Sequence, residues 1–203
     1  MAVAAIGAAI PSDMISRHID DHLRTIECLR NLSADIEAIA DLMIACLEAG
    51  GRIFWLGNGG SAADSQHLAS ELVGRFEHDR PGLASIALTT DTSALTAIGN
   101  DYGFDLIFAR QIEALCRPPD LVIGISTSGN SPNVLRALEM ARALGLGTAG
   151  LCGRDGGRLR EFADACLIVP VDNTARIQEA HILAGHILCA LVEAHFTPTP
   201  ATR

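Results

Sequence analysis

The sequence predicts a doubly wound α/β fold: a five-stranded parallel sheet flanked by helices and preceded by N-terminal helices. Short, continuous apolar runs recur at residues 53–56, 83–88, 121–125, 147–151 and 166–169. They lack the alternation of a half-exposed strand, so each reads as a strand buried on both faces. Between them lie stretches of helical spacing at 93–99, 104–116 and 133–144, with a short one near Leu159. Strands separated by helices imply parallel pairing. At 203 residues with 49% hydrophobic content, the chain can bury one substantial core. The expected layout is a tail at 1–12, a single domain at 13–196 and a disordered tail at 197–203.

Two helices open the chain. Ile15, Ile19, Leu23, Ile26 and Leu29, then Ile36, Ile39, Leu42, Met43 and Leu47, recur at helical spacing. Asn31-Leu32-Ser33 divides the two, with Ser33 expected to cap the second and Asp35 and Glu37 in its first turn. A leading helix has no obvious face of its own sheet to cover, so packing against another subunit is expected.

Composition removes several functions. A net charge of −9 argues against a nucleic-acid surface. All fifteen basic residues are arginine, which excludes a Schiff-base lysine, a pyridoxal phosphate lysine and a Walker A lysine. The six cysteines show no C-x-x-C spacing and read as reduced core thiols of a cytoplasmic protein. The apolar N-terminal run lacks a basic n-region and membrane length, so neither a signal peptide nor a membrane anchor is expected.

The chain is organised around residues 52–76. An apolar run breaks into Gly57-Asn58-Gly59-Gly60-Ser61 and reopens as a helix. Glycines let the backbone approach a ligand, and the first helical amides lack intrahelical partners, so the loop outlines an anion seat. In the same helix His67 and Glu71 are four residues apart, which puts an imidazole and a carboxylate on one face. A second loop, Ser126-Thr127-Ser128-Gly129-Asn130-Ser131, follows the third strand and precedes Pro132. Ser131 is expected as N-cap, leaving Ser126, Thr127 and Ser128 as hydroxyl donors for a phosphomonoester. A nicotinamide-dependent reading competes: Gly57, Gly59 and Ala62 fit G-x-G-x-x-A, and Asp91 ends the second strand. It leaves the serine cluster unexplained.

FWLGNGGSAADSQHLASELVGRF, AIGNDYGF, GISTSGNS and RIQEAHILAGHILCALVE together resemble the sugar isomerase (SIS) domain family, and within it the phosphoheptose isomerases, from about Ile15 to Phe196. The resemblance implies a cytoplasmic homotetramer that converts sedoheptulose 7-phosphate to D-glycero-D-manno-heptose 7-phosphate, at the head of nucleotide-activated heptose synthesis. It implies that Ser61, Ser126, Thr127, Ser128 and Ser131 surround the phosphate beside Gly59 and Gly60. Asn58, Asn100 and Asp101 would line the sugar, with Gln178 also at the substrate. Glu71 would be the general base and His186 the acid, while His67, Glu71, Gln178 and His186 match a Zn2+ site.

Spacing alone favours His181 slightly, because Gln178 and His186 are eight residues apart, about 12 Å of helical rise. The family motif favours His186 and leaves His181 at the pocket rim. His18, His22, His78 and His195 read as surface residues. Ala175 stands where some members carry an acid. Ala62-Ala63-Asp64-Ser65 and Thr89-Thr90-Asp91 also resemble a relative that binds the replication initiator and lacks the base; this chain retains Glu71 and His186.

Overall fold

The computed structural model describes Pro11 and residues 13–197. The apolar N-terminal run and the expected tails, apart from Pro11 and Thr197, lie outside the described residues. Helix α1 (Met14–Cys28) runs through a 3-10 turn (Leu29–Leu32) into α2 (Ser33–Glu48). There follow β1 (Ile53–Gly57), α3 (Gly60–Val73), β2 (Ser85–Ala87), α4 (Thr92–Tyr102) and α5 (Ala109–Leu115). The chain ends with β3 (Leu121–Ser126), α6 (Pro132–Ala143), β4 (Gly147–Gly153), β5 (Ala165–Val169) and α7 (Thr174–Phe196). The strands form one sheet in the order β2-β1-β3-β4-β5, every pairing parallel.

The unbroken apolar runs have a direct cause. Ile53 and Trp55 point into a core shared with Ile39, Met43, Leu68, Leu72 and Leu188 from α2, α3 and α7. Phe54 and Leu56 point the other way, onto Phe108, Ile112, Val134 and Leu138 beside α5 and α6. Side chains alternate between faces, and both faces are covered. Each fully buried large side chain contributes roughly 1.5–3 kcal/mol, and Trp55 also donates its Nε1–H to Ser85 Oγ at 2.9 Å.

The structure differs from the sequence expectations at several joints. Ser33 does not cap α2: Leu32 is the N-cap, and Ser33 already has helical dihedrals because the 3-10 turn carries the chain into α2 without an extended residue. Of the two acids expected in the first turn, Asp35 lies there. The helix expected over 104–116 is a 3-10 turn at Phe104–Leu106 followed by α5, and the one near Leu159 is a 3-10 turn, Leu159–Glu161. Asp91 caps α4 by accepting from Ala94 N at 2.9 Å, so the acid of the nicotinamide reading is spent on a helix end.

Helix α1 docks on α7 through polar contacts. His22 Nδ1 lies 2.7 Å from Glu179 Oε2, and Arg176 joins Glu179 to the His18 carbonyl. Its apolar residues Ile15, Ile19 and Leu23 remain 69%, 53% and 58% exposed.

At the amino edge of the sheet, Asp120 accepts from Arg52 N (2.9 Å), Arg52 Nη2 (2.7 Å) and Arg117 N (2.9 Å). Burial alone pushes the Asp120 carboxyl up, but these hydrogen bonds outweigh it and hold the group below the usual carboxylate range. A depressed folded pKa contributes stability above the unfolded value, lost as pH falls through the folded one. Asp120→Asn is expected to cost about 2–3 kcal/mol in urea unfolding at neutral pH. The gap from wild type should narrow below about pH 4, where the unfolded carboxyl takes up its proton.

Candidate active site

The site grows from the sheet topology. From β1 the chain moves to one side, to β2, and from β3 it moves to the other, to β4 and β5. The crevice where direction reverses lies between the carboxyl ends of β1 and β3, the place where doubly wound sheets bind ligands. Both loops singled out in the sequence end there. Gly59 is the N-cap of α3 at φ +57, a left-handed conformation that glycine adopts without strain. A Cβ on Gly57 would stand 2.7 Å from Ser61 Cβ and 2.9 Å from the Ile125 carbonyl, so only glycine lets the two strand ends approach. Across the crevice the amides of Asn58 and Asn133 hydrogen-bond reciprocally, each at 2.8 Å.

The second loop is a hydroxyl cluster. Ser126 Oγ lies 2.9 Å from Ser131 Oγ and 3.5 Å from Ser128 Oγ, and Ser128 Oγ accepts from Asn130 N at 3.1 Å. Ser131 is the N-cap of α6 by position, as expected, but its hydroxyl does not cap the helix; it turns into the cluster. Thr127 is half-buried beside it, and Ser61 is buried in the first turn of α3. The loop closes because Gly129, at φ +63, passes the Gly156 carbonyl so closely that a Cβ would sit 2.1 Å from it.

Helices α3 and α7 supply the reactive groups. Gly185 of α7 packs on Leu68 of α3, where a Cβ would come within 2.6 Å of the leucine side chain. That close approach brings His186 Nε2 to 2.9 Å from His67 Nε2, while His67 Nε2 lies 3.5 Å from Glu71 Oε1. One ligand atom from each of the three residues lies within 4.8 Å of the others. Two imidazole nitrogens facing each other cannot both carry protons, so the arrangement suits a shared proton or a shared cation. Nitrogen and carboxylate donors at this spacing fit a first-row divalent metal such as zinc.

Other expected residues fall elsewhere. The Gln178 amide rests against Gly60, where a Cβ would meet Gln178 Nε2 at 2.4 Å, two turns before His186 on α7. Asn100 and Asp101 stand in the last turns of α4, exposed and bonded to each other at 2.8 Å. Helix α4 starts at the carboxyl edge, so they lie about 13 Å of helical rise from it. His181 is not at the pocket rim. It is fully buried, with Nε2 bonded to the Cys152 carbonyl at 2.9 Å, and burial pushes its pKa down to about 4. His18, His22, His78 and His195 are exposed or half-exposed as expected; His22, His78 and His195 each approach a carboxylate.

Two buried charged residues behind the site gave no motif signal. Glu193 accepts from the backbone N–H of Phe76 (2.9 Å), Glu77 (2.7 Å) and His78 (2.8 Å). Arg80 Nε lies 3.1 Å from Glu193 Oε1. Glu193 follows His186 by seven residues, a same-face spacing that could have flagged it. Burial raises the Glu193 pKa, but the three amides and Arg80 together bring it down to about 2.

Both shifted groups predict acid sensitivity of one sign. The unfolded chain binds protons that folded His181 and Glu193 refuse, so stability falls with falling pH. His181 acts from about pH 6.5 down to 4, and Glu193 from about 4.5 down to 2. Urea unfolding across this range should lose stability in both windows, and His181→Leu should flatten the upper one.

The comparisons with known proteins agree with this geometry. A family model for the SIS domain matches residues 17–153. The phosphoheptose isomerase of Geotalea daltonii is 56% identical over 180 residues, 88% of this chain and 94% of that relative. That of Trichlorobacter lovleyi is 53% identical over 88% of this chain and 92% of its own length. Among solved structures, the phosphoheptose isomerase of Neisseria gonorrhoeae superposes with TM-score 0.85 at 45% identity, covering 90% of this chain and 98% of that one. The Francisella tularensis enzyme gives 0.87 at 40% identity, covering 91% and 100%. With its sheet order, its two crevice loops and relatives matched over nearly their whole length, the chain belongs to the SIS domain family and, within it, to the phosphoheptose isomerases.

Proposed function

We propose that this chain is an aldose–ketose isomerase that converts D-sedoheptulose 7-phosphate to D-glycero-D-manno-heptose 7-phosphate, the first step of nucleotide-activated heptose synthesis. The observation that carries the mechanism is the convergence of His186 on α7 with His67 and Glu71 on α3, the helix that opens at the glycine loop.

The phosphate is held by the hydroxyls of Ser61, Ser126, Thr127, Ser128 and Ser131 and by the amides that open α3 and α6. No cation is needed in the loop, since two helix N-termini face the anion. The glycine loop, Gly59 and Gly60, lets the substrate lie against the backbone, with Asn58 and the Gln178 amide beside it. Glu71 removes a proton from the carbon next to the carbonyl. The electron pair moves to the carbonyl oxygen, and His186 donates a proton there, giving the enediol. Return of a proton to the former carbonyl carbon, with loss of the neighbouring hydroxyl proton, leaves the aldose.

His67, Glu71 and His186 would hold a zinc ion, with Gln178 as the further ligand the family resemblance implies. Held there, the ion would supply Lewis-acid polarisation of the substrate oxygens.

Self-association into a homotetramer is supported by the exposed stripe of Ile15, Ile19 and Leu23 and by an apolar groove of about 410 Å³ lined by Ile26, Leu29, Ile36, Leu183, Ile187 and Leu191. A cytoplasmic location accords with six free cysteines and with the absence, among the described residues, of a helix long and apolar enough to cross a membrane.

Glu71→Gln should lower kcat for sedoheptulose 7-phosphate by about 10²–10⁴-fold while the protein stays folded. Chelation followed by zinc addition should remove and restore activity. Absence of turnover by intact wild-type protein would exclude the heptose substrate. Gly60→Ala should displace the Gln178 amide, the far end of a flexible side chain, and so raise KM several-fold while changing urea-unfolding stability by less than about 1 kcal/mol.

A further inference from the structure

We infer that the buried Arg80–Glu193 pair is a positioning device for the general base and its partner acid. This rests on the isomerase reading above and adds two residues to it.

Glu71 lies near the end of α3, where the last carbonyls of a helix have no intrahelical partners and the turn is prone to fray. Arg80 closes that end. Its guanidinium, with the side chain 0% exposed, donates to the Glu71 carbonyl at 3.0 Å, the Leu72 carbonyl at 2.9 Å and the Pro81 carbonyl at 3.1 Å. The same guanidinium sets Nε 3.1 Å from Glu193, two turns beyond His186 on α7. One side chain therefore ties the turn bearing the base to the helix bearing the acid.

Glu193 completes the connection. Its carboxylate gathers three successive amides, those of Phe76, Glu77 and His78, so it fixes the segment that leaves α3. That segment carries Phe76, whose ring lies 5.5 Å from the His186 ring, tilted by 31°. The phenyl blocks one face of the imidazole and leaves its Nε2 directed at His67. A buried ion pair is a poor source of stability compared with apolar packing of the same volume. Its three-way reach between Glu71, Phe76 and α7 is what an apolar pair could not reproduce. Outer-shell groups that orient reactive side chains commonly change activity or metal affinity by 10–100-fold when altered.

The test compares Glu193→Gln with Asp120→Asn, which breaks the half-exposed Arg52–Asp120 pair at the amino edge of the sheet. Kinetics with sedoheptulose 7-phosphate are measured well below the unfolding temperature of each variant. The His186 ring-proton resonances, which the Phe76 ring 5.5 Å away is expected to displace in wild type, are followed by NMR. Glu193→Gln should lose 10–100-fold in kcat with KM within about twofold, and its His186 resonances should move towards those of a free imidazole. Asp120→Asn should lose stability yet keep kcat and the His186 resonances. If the two variants lose stability alike and both keep kcat and the His186 shifts, the pair is structural only and the inference falls. Where Glu193→Gln does not fold, Phe76→Leu removes only the ring and leaves the amides in place. An unchanged kcat there overturns the inference equally, and a drop of about 10-fold supports it. Should wild type show no turnover, the isomerase reading fails, while the NMR comparison still decides whether the pair holds His186.

Discussion

The closeness of α3 and α7 is the constraint on which the site depends. Gly185 opposite Leu68 removes the side chain that would hold the helices apart, and Leu72 and Leu188 continue the same core one turn further along. With the helices this near, His186 meets His67 and Glu71 without any loop having to carry a member of the cluster. Loops are the mobile parts of a fold; in the proposed mechanism they hold the anion, while His67, Glu71 and His186 sit on packed helices. A bulkier residue at 185 would separate the reactive groups while leaving the sheet intact, which makes that contact a functional constraint as much as a structural one.

Much of this was legible because each signal was local. The five strands came from apolar runs, and the observed β1, β3, β4 and β5 overlap those runs closely, since a strand buried on both faces leaves little ambiguity. The crevice loops were legible because glycine and serine stretches break those runs at their carboxyl ends. His67 and Glu71 were legible because one turn of helix fixes their relation. The choice between His181 and His186 was not, because helical spacing on α7 says nothing about which face meets α3. The family motif chose His186; in the structure His181 points into the core at the Cys152 carbonyl, whereas His186 lies against His67 of α3.

The two expected serine caps come out differently: Ser131 is the N-cap of α6 by position though its hydroxyl turns away, and Ser33 is not the N-cap of α2. A serine before a helical run is a capping signal only if its hydroxyl has nothing better to do. Ser33 is already inside a continuous turn, and Ser131 has Ser126 at 2.9 Å. The Asn58–Asn133 pair and the Arg80–Glu193 pair were illegible for a different reason. Their partners are far apart in sequence, so even where one member is marked, as Asn58 is by the glycine loop, nothing local points to the other. Asn100 and Asp101 were implied at the sugar by motif, and their place two turns along α4 follows from Asp91 starting that helix at the edge of the sheet.

The serine cluster explains how a chain of net charge −9 can hold a phosphate without a lysine. Each serine hydroxyl has one proton to give. Ser126, Ser128 and Ser131 have three between them, and their two mutual contacts use two at most. At least one donor is therefore free to face a ligand, and the others can turn towards it by rotation about a single bond. The backbone amides of Gly60 and Asn133, at the starts of α3 and α6, are fixed and need no such rearrangement. A neutral seat of this kind carries no charge that an empty site would have to solvate or pair, which suits a crevice already lined by a carboxylate and two imidazoles. The amino edge of the same sheet does the opposite: Arg52 and Asp120 satisfy each other there. Polar groups that stabilise the fold are closed at one end of the strands, and those that remain open to a substrate are gathered at the other.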